Sequence, residues 1–297
     1  MGVPASGRFA MKRLIVTADD FGLALPVNEA VEEGHARGIL SAASLMVTGD
    51  AAADAVERAH RLPRLAVGLH LVLVDGRPAL PPAAIPDLVT REGRFHQSPL
   101  VAGVAIFCRP AARRQLEAEI RAQLDAFRRT GLTLDHVDAH HHFHVHPTVR
   151  DTLLRLALEY AIPAVRVPHE PPLLAWRATG DRLAARLLGA ALHGGRMRAM
   201  KRRLDRAGIA HNDWLLGLTE SGAMTPRRVQ GYLARLPDGV SELYVHPATR
   251  AFAGPDAWPA SYDGVGELRA LVDPETAAAL QRAGIEPTSF AALGSAR

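Results

Sequence analysis

Short apolar runs of strand length recur along this chain, and between most successive pairs lies a stretch with helical spacing. Lys12 to Ala18 (KRLIVTA), Ala42 to Val47, Leu65 to Leu71, Leu134 to Asp138, Ala164 to Val167, Asp213 to Leu218 and Glu242 to Val245 read as strands. Pro26, Pro147 and Thr225-Pro226 open helices, the Pro147 helix running to about Tyr160. Asp50 is placed to cap another that reaches about Leu62, and Gly38 and Gly131 end two more. A helix between two strands carries the chain back to the same end of the sheet, so consecutive strands come out parallel. The pattern predicts an α/β fold: a TIM-like (β/α) barrel, open to distortion, with parallel strands inside and helices outside. Barrels of this kind do their chemistry at the carboxyl ends of the strands.

Those ends are unusually polar. The first strand stops at Asp19-Asp20-Phe21-Gly22, and two adjacent carboxylates are costly unless they are solvated or bind something. The third strand carries Gly68-Leu69-His70, and the Glu242 to Val245 strand stops at His246-Pro247. The fourth runs into LDHVDAHHHFHVHP at 134–147, which holds six of the chain's 14 histidines beside Asp135 and Asp138. Packing alone gives no reason for that density, whereas neutral imidazole beside a carboxylate is a common shell for a catalytic divalent metal. If the extension continued beyond Asp138, then His136, Asp138, His140, His142 and His144 would share one face. A surface histidine tract is the alternative, and the position between a strand and a helix argues against it.

The 297 residues are 48% hydrophobic and 22% charged, a soluble globular balance with enough apolar mass for one large barrel. Aromatics make up 5%, so Leu, Val and Ala must fill the interior. A net charge of +4 does not by itself imply nucleic acid, and no such partner is expected. Cys108 is the single cysteine, which excludes an internal disulfide and a cysteine-cluster metal site. Within VAIFC it reads as buried filler rather than a nucleophile. Residues 1–10 lack the long apolar core of a secretory leader and read as a disordered extension, and no later run reaches about 18 uninterrupted apolar residues. The expectation is one barrel domain over 11–297, in the cytoplasm.

Two stretches depart from the alternation. Residues 75–110, rich in Pro and Gly, read as a long loop of the kind that covers a substrate. From Arg177 to Arg206, eight arginines and one lysine stand against Asp181 and Asp205. Leu183, Leu187, Leu188 and Leu192 fall on one helical side, Gly194-Gly195 predicts a break, and a second piece carries Met197, Met200 and Leu204. This gives an inserted basic helical segment near 177–207. A final weak strand is expected near Pro287 to Leu293.

One carboxylate and two imidazoles make a three-ligand shell that leaves positions open for water and substrate, as a hydrolytic metal requires. Asp20, His70 and one member of the histidine run can supply it. His140 is the first histidine past the strand and shares a face with Asp138, which is placed to orient its other ring nitrogen. Asp19 is then free to take a proton from water, and His246 can arrive as an acid. The chain has no G-x-S-x-G elbow, no P-loop and no G-x-G-x-x-G after its first strand. Two nitrogens and one oxygen suit Zn²⁺, with Mg²⁺, Mn²⁺ or Co²⁺ also compatible. Arg166 reads either as a substrate contact or as an ion-pair partner inside the barrel.

TADDFG at 17–22, GLHLVL at 68–73, HVDAHHHFHVHP at 136–147 and SELYVHPA at 241–248 resemble, in that order, the motifs of the YdjC/ChbG-like carbohydrate deacetylases. The resemblance extends from about Arg13 to the C-terminus. Longer stretches, ADDFGLALPVNEAVEEGHARGILSAASLMV and HPTVRDTLLRLALEYAIPAVRVPHEP, resemble the branch called hopanoid biosynthesis-associated protein HpnK. The resemblance implies a (β/α) barrel that uses one divalent metal, Zn²⁺ or Mg²⁺ foremost, to remove the acetyl group from an N-acetylated amino sugar. By motif it implies His70 and His140 as ligands, and Asp19 and Asp20 as the aspartate pair. Asp138, His142 and His144 complete the D-x-H-x-H-x-H element, and His246 belongs to the late H-P element. His142, His144 and Arg166 are the expected substrate contacts. Ala139 stands where many members have Ser, and Ala248 where many have Gly; neither position is a ligand.

For the HpnK-like branch the implied substrate is an N-acetylglucosaminyl hopanoid, whose polycyclic body lies in a membrane. The basic segment 177–206 would then meet an anionic surface, each basic side chain contributing roughly 1 kcal/mol. Otherwise that segment is a surface helix packed on the barrel. A soluble chitooligosaccharide is the alternative substrate, and a metal- or lipid-binding barrel without turnover is the alternative of another class.

Overall fold

The computed structural model describes residues 11–294; the expected extension at 1–10 lies outside them. Strands are β1 (Lys12–Phe21), β2 (Ala42–Leu45), β3 (Ala66–Leu71), β4 (Leu134–Ala139), β5 (Trp214–Leu216), β6 (Gly239–Val245) and the short β7 (Glu286–Pro287). Between and after them come helices α1 (Leu25–Arg37), α2 (Ala52–Arg61), α3 (Pro99–Cys108), α4 (Pro110–Arg129), α5 (Pro147–Leu156) and α6 (Pro172–Thr179). The chain continues through α7 (Leu183–Arg206), α8 (Pro226–Leu233), α9 (Gly264–Val272), α10 (Pro274–Arg282) and α11 (Phe290–Gly294).

Six strands form one parallel path in the order β4-β3-β2-β1-β6-β5. The stretch 164–167 joins its two ends without regular pairing. Val137 N donates to Ala164 O at 2.9 Å and Arg166 N to Val137 O at 3.2 Å, while Val165 N donates to Ala210 O at 2.9 Å. Asn212 substitutes for a strand partner: its Oδ1 accepts from Val167 N at 2.7 Å and its Nδ2 donates to Val167 O at 3.0 Å. The expected barrel is therefore present and distorted, regular on one side and bridged on the other.

The interior follows the period of two. Ile15, Ala42, Ala164, Ala210 and Val240 form an apolar cluster with Phe290 and Leu293, while Leu14, Val16, Ala18, Ala43 and Leu45 belong to the separate cluster that the helices cover. Above the apolar floor, the inward positions turn polar: Thr17, Ser44, His136, Arg166 and Glu242 are all fully buried. Higher still come Asp19, His70, Asp138 and Tyr244, each 0–3% exposed. The functional residues are thus the top layers of a filled barrel core.

Several local expectations shift. The Pro/Gly-rich excursion contains α3, which starts at Pro99 after the Ser98 cap, and Cys108 at its end is exposed rather than buried. Gly194-Gly195 does not break α7, which runs 24 residues. Burial of Met197, Met200 and Leu204 against the core outweighs roughly 1 kcal/mol of helix propensity lost per glycine. Asp50 caps nothing, since α2 begins after Ala51 with no side-chain cap. The helix opened by Pro147 stops at Leu156, and the last expected strand is only β7 followed by α11.

Gly68 on β3 has no room for a side chain, because a Cβ there would lie 2.4–2.6 Å from the His136 ring. Replacing Gly68 with Ala should therefore destabilise the protein by about 1–3 kcal/mol, the usual cost of overpacking a filled core. A urea midpoint unchanged from that of the parent chain would contradict the layered interior.

Candidate metal centre

β1 ends in an irregular pairing with β2 between Ala18 and Phe21, and Asp20 within it takes a left-handed backbone with φ 62°. That turn aims its side chain at two rings from other strand ends. Asp20 Oδ1 lies 3.3 Å from His70 Nε2 and 3.1 Å from His140 Nδ1. These are charge approaches, and the buried Oδ1 has no hydrogen-bond partner by geometry. The three atoms lie within 4.8 Å of one another. An unpartnered carboxylate oxygen facing two imidazole nitrogens is the donor set that a divalent cation takes up, so these residues fit a metal.

The other atoms of the trio are held from behind. His70 Nδ1 sits 2.8 Å from Asp138 Oδ1, and with the proton on Nδ1 the Nε2 lone pair faces the vertex. Asp138 therefore orients His70, not His140 as its strand position suggested. Ser44 Oγ donates to Asp138 Oδ2 at 3.0 Å and also lies 3.0 Å from His136 Nε2, whose Nδ1 is 2.9 Å from Asp135 Oδ2.

Below the vertex lies Arg166, fully buried. Its fork grips both oxygens of Asp19 at 2.7 Å, meets Asp138 Oδ2 at 2.5 Å and reaches Glu242 Oε1 at 2.7 Å. Burial opposes ionisation of Asp138, but Arg166 and His70 hold its carboxyl well below the usual range. Asp20 is also held well below that range against its burial, chiefly by His140. Burial pushes Glu242 up despite Arg166. His70 is buried too, yet Asp138 and Asp20 raise it to about 10.

A cavity of about 400 Å³ opens over this arrangement. Asp19, Asp20, His70, His140, His142 and His246 all border it, so six of the expected site residues converge there. Arg166 and His144 do not border it. Arg166 serves the ion pairs, and His144 Nε2 lies 2.9 Å from the Arg166 carbonyl, with burial lowering its pKa to about 4. Neither is placed on the cavity wall, and for Arg166 the ion-pair alternative is the one seen. At the rim, His246 receives no side-chain bond at Nδ1, while its backbone N donates to Glu267 Oε2. Tyr244, Trp258 and Tyr262 surround its ring at centroid distances of 5.5, 5.8 and 5.1 Å. Burial lowers His246, with Asp20 and Asp19 pulling the other way.

Sequence reasoning missed Ser44, Glu242, Trp258 and Tyr262. Glu242 left a signal, a charge inside a strand pattern; Trp258, in a loop, left none.

A parallel-stranded α/β barrel whose strand ends gather Asp20, His70 and His140, a group that could hold a metal ion, beside a cavity is the class the fold and site define, and similarity to known proteins narrows it. The family described as YdjC-like protein matches residues 13–282, and the chain belongs to that family. It is 31% identical to a carbohydrate deacetylase of Mus musculus over 97% of each chain. The Homo sapiens protein of the same description is 31% identical over 96% of this chain and 92% of its own. The Brevibacillus brevis carbohydrate deacetylase is 42% identical over 158 residues, a match spanning 52% of this chain and 59% of that protein. A proposed cellobiose-phosphate cleavage protein of Enterococcus faecalis has a crystal structure that superposes with a TM-score of 0.73, covering 95% of this chain and 99% of its own. At 24% identity, that likeness bears on the fold alone.

The charge on His70 makes a measurable signature. Its folded pKa of about 10 exceeds the ordinary 6.5, so its contribution is fully present below pH 6.5 and is lost as pH rises toward 10. Metal-free protein should lose stability across that window in denaturant titrations, and zinc should abolish the decline by replacing the proton. A flat metal-free profile would show that His70 carries no charge.

Proposed function

We propose that the chain is a metal-dependent carbohydrate deacetylase that hydrolyses the N-acetyl group of an N-acetylglucosamine-type sugar. The observation that carries this reading is the unpartnered Asp20 Oδ1 facing His70 and His140 at a cavity that Asp19 and His246 also border. Family membership and the names of the full-length relatives support it.

Asp20, His70 and His140 would hold the ion, with Zn²⁺ or Mg²⁺ favoured and Mn²⁺ or Co²⁺ compatible. When bound, a divalent cation supplies Lewis-acid polarisation of the acetamide carbonyl and of the attacking water. Asp19 accepts the water proton; its two-pronged bond to Arg166 fixes the carboxylate at the cavity it borders. His246 hands a proton to the departing amine; burial lowers its pKa, so it gives the proton up readily, and Asp20 and Asp19 offset only part of that. His142 borders the cavity as a substrate contact.

For the substrate we propose an amino sugar carried on a hopanoid lipid. Three observations support this finer reading: the sequence resemblance to the HpnK-like branch, a neighbouring cavity, and the surface of α7. That second cavity, about 350 Å³, is walled by Ala185, Gly189, Ala190 and Met197 of α7 and shares Leu218 with the first. Leu187, Leu188 and Leu192 of α7 are 45–63% exposed, and Arg196, Arg198, Arg202 and Arg203, exposed further along the same helix, supply the positive charge that an anionic membrane surface would attract. Among the described residues no helix is long and apolar enough to cross a membrane, so contact would be peripheral, and the inner face is the proposed place.

Asp19→Asn should retain metal and lose deacetylation by about 10²–10⁴-fold, the usual weight of a general base. Full turnover by this variant would remove Asp19 from the mechanism. Mass spectrometry of the metal-loaded enzyme with N-acetylglucosaminyl hopanoid should show loss of one acetyl group. Preferential turnover of soluble di-N-acetylchitobiose would favour the chitooligosaccharide reading, and no turnover of either a binding barrel. Flotation with anionic liposomes should carry the protein upward, and Leu188→Gln with Leu192→Gln should abolish this; equal flotation would assign α7 a packing role only.

A further inference from the structure

We infer that Trp258 is a positioning residue of the metal centre, set by the loop 249–263 so that its indole N–H fixes the Asp20 carboxylate with Oδ1 alone toward His70 and His140. This rests on the reading of that vertex as a metal site. A terminal carboxylate has a broad, nearly two-fold torsion, so a strand-end aspartate can present either oxygen or both to an ion. Here the two oxygens are distinguished. Trp258 Nε1 donates to Asp20 Oδ2 at 2.7 Å, while Oδ1 is left without a hydrogen-bond partner between the two imidazoles.

The indole reaches Asp20 from 238 residues further along the chain, and its approach is built rather than incidental. At Gly264, the first residue of α9, a Cβ would come within 2.9 Å of Trp258 Cζ3, so the missing side chain makes room for the ring. Phe252 meets the indole with a centroid distance of 5.0 Å, and Tyr262 flanks it at 6.0 Å. The loop is anchored at both sides of the cavity mouth. Thr249 N donates to Pro26 O at 3.0 Å and Thr249 Oγ1 to Glu29 Oε2 at 2.7 Å, which ties its start to α1. Arg94, from the excursion across the cavity, pairs with Asp256 two residues before the tryptophan.

An outer hydrogen bond of this kind selects the ligating oxygen and reduces the freedom that the carboxylate loses on binding an ion. Removing such a partner typically weakens metal affinity by about 10–100-fold. Trp258→Phe keeps most of the ring and deletes the donor, so zinc affinity measured by calorimetry should fall by that factor, with Trp214→Phe as a control that leaves it unchanged. The chain has three tryptophans, so Trp176→Phe combined with Trp214→Phe makes Trp258 the sole emitter without touching the loop. Its fluorescence should be quenched by Co²⁺ along the same isotherm that calorimetry records.

Parental zinc affinity in Trp258→Phe would overturn the inference while leaving the metal site intact. Calorimetric Co²⁺ binding with no change in Trp258 emission would overturn it equally, even if Trp258→Phe misfolds. Absence of micromolar zinc or cobalt binding to the parent chain would overturn the metal reading and this role together.

Discussion

A single guanidinium holds the centre of this barrel together. Arg166, fully buried on the irregular stave, faces Asp19 from β1, Asp138 from β4 and Glu242 from β6. Carboxylates this close and this dry would otherwise recover their protons or keep the strands apart. A lysine offers one point charge, whereas the planar fork takes Asp19 with two parallel bonds and still reaches both neighbours. Thr17 and Ser44 donate to Glu242 and Asp138, so the cluster is a network with most of its acceptors satisfied. One cation nevertheless meets three carboxylates here, and Asp20 adds another at the top. Against its burial, Asp138, Asp20 and Asp19 raise His70 to about 10. The carboxylates that tie the staves together thus also surround the ring that lines the mouth.

Backbone strain is concentrated at the same end. Six non-glycine residues among those described have positive φ, and four of them, Asp20, Asp75, His141 and His142, border the main cavity. Such conformations cost on the order of 1 kcal/mol or more each and persist only where the surroundings impose them. Parallel pairing of β1 with β6 from Lys12 to Ala18 supplies that constraint for Asp20. Regular structure ends and the side chains are re-aimed within one or two residues. A continuing strand at 140–144 would have alternated them between core and helix layer instead.

The strand-helix alternation was legible because it is a repeated local signal, and the site residues were legible because polar groups at the ends of buried strands are costly without a purpose. Asp20, His70 and His140 stand together on that logic. What escaped depended on tertiary context. The Ser98-Pro99 start of α3 was hidden within a Pro-rich stretch, and the Gly194-Gly195 pair was overridden by what the rest of α7 buries. Arg166 allowed two readings because a strand position gives the direction of a side chain only once its neighbours are known. Trp258 could not be found at all, since a loop has no period.

The histidine run shows how density in sequence differs from concentration in space. Six rings within eleven residues suggest a metal cluster, yet one alone joins the Asp20-His70 vertex. His136 is fully buried between Asp135 and Ser44 with Phe290 against its ring, so packing does account for part of the run. His140 is the candidate ligand, and His141 turns outward to Asp75 at 3.3 Å. His142 borders the cavity, while burial and Arg166 hold its pKa well below the ordinary value and keep it neutral. His144 supports the Arg166 backbone, and His146 accepts from Thr148 N at the start of α5. Imidazole can serve in each of these places because it buries as a flat ring, accepts or donates at either nitrogen and sheds its charge at modest cost. The change from strand to left-handed turn after Ala139 is what separates the roles: residues that would have shared one face are distributed among core, vertex and cavity wall.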